Sequence, residues 1–192
     1  MSIMAKLSLN TAPPSRSRAE LQAIPALVRA YRLCGYPVST AEVARTFPAT
    51  TSVFEIGCAM AEHALDIGLR VQLMTWNTRL LSPTIFSQPE LADALGHEAR
   101  LLIAEGDDAH LAVSRHEDAV RAGVKLVMGD LTLDSLQGWL RRSSTLLASV
   151  DGEFLCQDNG GQTSRWVLIQ GCDPRTGSVM ICDCGPAEAP QP

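Results

Sequence analysis

The chain has 192 residues, 46% of them hydrophobic, and its 16 Lys and Arg against 21 Asp and Glu give a formal net charge of -5. That is enough apolar chain for one substantial core, and with no basic cluster beyond the Arg16/Arg18 and Arg141/Arg142 neighbours it excludes the electrostatic footprint of a nucleic-acid binder. No apolar run reaches the ~18 residues of a membrane span and the N-terminus lacks a charged-then-apolar signal pattern, so we expect a cytoplasmic protein with no membrane insertion.

Residues 1–17 end in Thr11-Ala12-Pro13-Pro14-Ser15-Arg16-Ser17, a lead-in that cannot continue a helix and in which only Lys6 to Leu9 has strand character. From Arg18 to Leu33, Leu21, Ile24, Leu27, Val28 and Tyr31 recur at helical spacing, with Pro25 read as close to the first turn and Gly35 and Pro37 closing the helix. Ser39-Thr40-Ala41-Glu42 is a capping-box pattern opening a short helix to about Phe47. Residues 52–67 form a third helix stopped by Gly68, and Leu69 to Trp76 a strand.

A helix follows over Pro89 to Ala104, and then a polar section without a defined form, Asp107 to Asp118. Its His110 and His116 among four carboxylates lack an i, i+4 His pair or a His-Glu-x-x-His pattern, so we read a solvated surface rather than a metal site. Thr132 caps a helix to about Arg142, and Thr145 to Val150 begins a C-terminal sheet. Residues 158–162 are turn-rich, and 186–192 have the composition of a disordered tail.

The most informative stretch is Ser164 to Asp183. Two apolar, β-rich runs separated by Asp173-Pro174-Arg175-Thr176-Gly177 predict a hairpin with Ser178 opposite Cys172, Ile181 opposite Ile169 and Asp183 opposite Val167. Alternation then places Arg165, Val167, Ile169, Val179, Ile181 and Asp183 on one face, with Arg165 and Asp183 close enough for an ion pair at its open end. Cys182-x-Cys184, with Cys172 on the facing strand, has no second pair to complete a zinc site, so the six Cys read as packed free thiols of a reducing compartment.

This hairpin resembles the papain-like bacteriocin-processing cysteine peptidases, which cleave double-glycine leaders. In that family a strand begins with the catalytic His, runs through an aromatic and apolar residues to Gly-x-Asp, and turns back to an orienting Asp. Trp166 to Asp173 matches the strand and Asp183 the orienting residue, while Arg165 stands where the His belongs. The first helix is similar as well. Ala23-Ile24-Pro25-Ala26 and the later Pro37-Val38-Ser39 align with the family's Cys-Gly-Pro-Ala helix start and its Pro-Val-Ser exit, which puts Ala23 at the nucleophile position and leaves Gln22 as the only nearby stand-in for the oxyanion Gln.

The resemblance implies an α+β, papain-like fold over 18–185, with helices packed on a C-terminal antiparallel sheet. It also implies a degenerate member, since a guanidinium stays protonated and cannot serve as the base that a Cys nucleophile needs. One reading is a binding module that holds a peptide or partner protein in the former cleft through Gln22, Arg165, Trp166 and Asp183. The other is a repurposed enzyme, an amide hydrolase, acyltransferase or peptide-tailoring enzyme with a relocated site acting on a small amide-containing substrate, with Cys58, near Glu62 and His63, or Cys34 as nucleophile. Neither reading calls for a cofactor or a metal.

Overall fold

The computed structural model describes residues 18–47, 55–75, 81, 83–129, 132–142, 145–151 and 164–183. The lead-in over 1–17, the turn at 158–162 and the tail over 186–192 fall outside the described residues. Three helices come first: α1 (Arg18–Leu33), α2 (Thr40–Thr46) and α3 (Ile56–Asp66). α1 runs unbroken through Pro25, which sits in its interior rather than near its first turn. The backbone bond lost at a helical proline is offset by the face that α1 buries: Ala23, Ile24, Leu27, Val28 and Tyr31 form a core with Val43, Phe47, Ile56, Ala59, Met60 and Ala64. α2 opens on the predicted box, Glu42 N–H donating to Ser39 Oγ and Ser39 N–H to the Glu42 carboxylate.

Strand β1 (Gln72–Thr75) leads through a short 3₁₀ helix (Pro83–Ser87) to α4 (Leu91–Glu105), α5 (Ala109–Ala122) and β2 (Lys125–Met128). β2 pairs with β1 in parallel, so the two helices form the crossover that a parallel pair requires. Both α4 and α5 end on a left-handed glycine, Gly106 and Gly123. The polar section over 107–118 is therefore helical from Ala109 on, against the sequence expectation of a surface without defined form. Its buried stripe, Ala112, Val113, His116 and Ala119, repeats at helical spacing but is built of small residues and one histidine, which weakens the pattern. β2 had no sequence expectation at all: a four-residue strand between a glycine and a loop is too short to alternate visibly.

α6 (Leu133–Arg141) starts at Thr132, whose Oγ1 accepts from Ser135 N–H. Then β3 (Leu146–Asp151), β4 (Ser164–Asp173) and β5 (Ser178–Asp183) form an antiparallel sheet in the order β3-β4-β5. The chain is thus an α+β protein, with two small sheets among the described residues. In the hairpin, Ile169 pairs with Ile181 and Val167 with Asp183, as the sequence predicts, but Ser178 lies opposite Asp173 and not Cys172. The reason is a β-bulge: the register slips by one between Ile169 and Gly171, leaving Gln170 as the extra residue, so the turn shortens to Pro174–Gly177. Arg175 N–H donates to Asp173 Oδ1 and Gly177 N–H to Asp173 O, which closes that turn.

Candidate functional site

The candidate site residues named from the sequence arise from α1, α3, β4 and β5. Leu168 packs on Ala26 and Ala30 of α1, with Leu147 and Cys182 beside it and Trp166 on the same side. Alternation along β4 then sets Arg165, Val167 and Ile169 on the opposite face. Trp166 also reaches the core of α1 and α3, where a Cβ on Gly57 would lie 3.5 Å from its ring. Ala23 is 0% exposed in that same core.

Ala23 and Trp166 therefore share one core, while Arg165, half-buried, belongs to the face turned away from α1. A groove with Arg165 and Ala23 facing each other is not what the register builds. Asp183 is placed by its backbone pairing with Val167. Its side chain and that of Gln22 lie outside the described residues, and with them the expected Arg165–Asp183 ion pair.

Cys58 is fully buried, and its thiol is pushed up to about 12, chiefly by burial and then by the Glu62 carboxylate. A thiol held in its neutral form is a poor nucleophile at neutral pH. Nor does His63 serve it as a base, because both ring nitrogens are engaged elsewhere: Nδ1 lies 2.7 Å from Tyr31 Oη and Nε2 2.8 Å from Thr46 Oγ1. Thr46 Oγ1 donates to Glu42 O at 3.1 Å, so it accepts from Nε2–H, and Nδ1 accepts the Tyr31 hydroxyl proton. Cys34 is exposed, with Sγ 3.4 Å from Thr145 Oγ1. Among the described residues no group of three or more His, Cys, Asp or Glu is placed to hold a metal ion; Cys184 is outside them.

What the sequence did not show is how the buried polar groups are partnered. Tyr31, His63 and Thr46 link α1, α3 and α2, with the Tyr31 and His63 rings stacked at 5.6 Å and the Phe47 ring tilted against the imidazole at 6.2 Å. Burial, and then Asp66, pushes the Tyr31 hydroxyl well above its ordinary range. On the neighbouring face of α3, Glu62 forms an ion pair with Arg115 of α5, which also approaches Asp118 at 4.0 Å. A histidine at an apolar helix position, such as His63 beside Met60 and Ala64, is the signal that could have found the first group. Comparison with family models, curated proteins and solved structures finds no match to this chain.

Proposed function

We propose that this protein is a catalytically silent, papain-like relative of the double-glycine leader peptidases, which binds a peptide or partner protein without cleaving it. The observation that supports this reading most is position 23. The residue aligned with the nucleophile is an alanine, fully buried in the core that also takes up Trp166. The residue aligned with the base is an arginine on the opposite face of β4, so neither the chemistry nor the geometry of a thiol dyad is supplied. The α1, α2 and α3 succession and the C-terminal hairpin follow the family's order of elements. The neutral, buried Cys58 speaks against a relocated nucleophile.

The test uses the full chain with synthetic double-glycine leader peptides. We expect binding by calorimetry with no cleavage by mass spectrometry, and slow alkylation of Cys58 at neutral pH. Arg165→Ala tests whether this half-buried residue takes part: lost binding with a near-normal melting temperature assigns it to the bound peptide, whose carboxylate or carbonyl suits a planar donor array. A large fall in melting temperature with binding intact makes Arg165 a structural residue. Cleavage that disappears with Cys58→Ser overturns the non-catalytic reading in favour of the relocated-site enzyme.

A further inference from the structure

We propose that the outer edge of β5 is an interface with a second copy of this chain, the two β5 strands pairing antiparallel about a two-fold axis through Met180. Among the described residues β5 ends its sheet, with β4 on one side only. Its middle three residues are all large, apolar and open: Val179 is 39% exposed, Met180 65% and Ile181 37%. Natural edge strands are usually blunted by Lys, Pro, an inward charge or a bulge. Ser178–Asp183 has no Lys or Pro, and the hairpin's bulge lies on β4, at Gln170.

The pattern of β5 selects its own copy as the occupant. A two-fold axis normal to a continuous sheet keeps equivalent faces on the same side, so the pairing must centre on one residue. Centring on Met180 sets Val179 opposite Ile181 of the partner subunit and Met180 opposite its own equivalent. Centring on Ile181 would set Val179 against an aspartate, and centring on Val179 would set Ile181 against a glycine. Only the Met180 register matches all three open apolar residues with apolar residues, the pairing that stabilises a sheet.

Charge agrees with that register. In that register the Pro174–Gly177 turn, whose Arg175 lies 3.7 Å from Asp173 with 90% of its side chain exposed, falls beside the register position of Asp183 of the partner subunit at each end of the interface. A parallel pairing would instead line up the two aspartates, and like charges directly opposite are unfavourable. This contact does not depend on the peptide-binding reading. It joins two three-stranded sheets into one of six strands.

Sedimentation of the full chain over a range of concentrations tests it. The wild type should be a reversible dimer. Met180→Lys, at a position 65% exposed, should raise the dissociation constant by about tenfold or more with an unchanged circular dichroism spectrum and melting temperature. Leu101→Lys, on the exposed side of α4, should leave the dimer intact. On oxidation Met180→Cys should give a covalent dimer that the wild-type thiols do not give, because directly opposed strand residues lie within disulfide reach. A wild type that is monomeric throughout, including one that captures an extended peptide on this edge, overturns the proposal. So does a dimer that survives Met180→Lys.

Discussion

Glu62 and His63 are neighbours in sequence, yet α3 turns them about 100° apart and into two different junctions. His63 faces α1 and α2 as the middle of a neutral chain in which every ring nitrogen is matched: Tyr31 O–H to Nδ1, Nε2–H to Thr46, Thr46 O–H to Glu42 O. Glu62 faces α5 as half of an ion pair, and there Glu62 Oε1 and Arg115 Nε are each buried without a hydrogen-bond partner among the described residues. Both junctions bury polarity, but only the first satisfies it. The difference teaches that a neutral hydrogen-bonded network can add to a core's stability, whereas a partly satisfied ion pair mainly penalises its own disruption.

The largest effect should come from breaking the charged junction one-sidedly. Arg115→Ala leaves the Glu62 carboxylate without its cation beside Cys58 and Ala61, and fully buried pairs lose about 3–5 kcal/mol on such a change. Here the two side chains keep 22% and 15% exposure, so screening lowers the expected loss to about 2 kcal/mol. Replacing both partners at once, Glu62→Leu with Arg115→Met, should cost less than Arg115→Ala alone. Urea denaturation of the three proteins settles the comparison; a double variant as unstable as the single one would mean that the pair contributes net stability after all.

The neutral junction should yield less per change. Tyr31→Phe removes one hydroxyl and strands Nδ1 in the core, for about 1–2 kcal/mol, and Thr46→Val takes away the acceptor of Nε2–H for about 1 kcal/mol. A double-mutant cycle between the two positions should show coupling, because both bonds depend on one tautomer of the same ring. Strict additivity would reduce the chain to two independent contacts and erase the contrast with Glu62.

Much of this fold was legible in the sequence, and what was not shares a cause. The α1, α2, α4 and α6 segments, the β3 strand and the hairpin carry periodic apolar residues or cap signals strong enough to locate them, down to the Ser39 and Thr132 caps. α5 was missed because its buried stripe holds a single large apolar residue, Val113, among alanines and a histidine, and β2 because four residues cannot establish a period. The one-residue slip at Gln170 is invisible to alternation, since a bulge is a local exception to the rule that alternation applies. Among candidate site residues, alternation places Arg165 on one face of β4 with Val167 and Ile169, and the packing of Leu168 on α1 makes that the face turned away from Ala23, which no single-strand pattern could reveal.

The smallest and most discriminating effect is the pH dependence, where the two junctions differ in sign. His63 has its pKa lowered, mainly by burial against a smaller opposing pull from Asp66, and His116 likewise by burial, against the bond of its Nδ1 to Ala112 O. The unfolded chain therefore takes up these protons first. The stability of the neutral, buried rings is fully present above the ordinary histidine value of 6.5 and is lost as the pH falls from there through the depressed folded values. Glu62 is the reverse: burial outweighs Arg115 and raises its pKa above the ordinary 4.5. The folded state takes up that proton first, so its contribution is greatest below 4.5 and is lost as the pH rises through the raised value. Urea midpoints measured downward from neutral pH should thus decline below 6.5 and then decline less steeply as Glu62 protonates. His63→Gln should make the first limb shallower and Glu62→Gln should remove the later relief. A flat profile through the histidine range, or a relief unchanged in Glu62→Gln, would show that the charges set by neighbouring residues on α3 do not govern the two junctions in opposite senses.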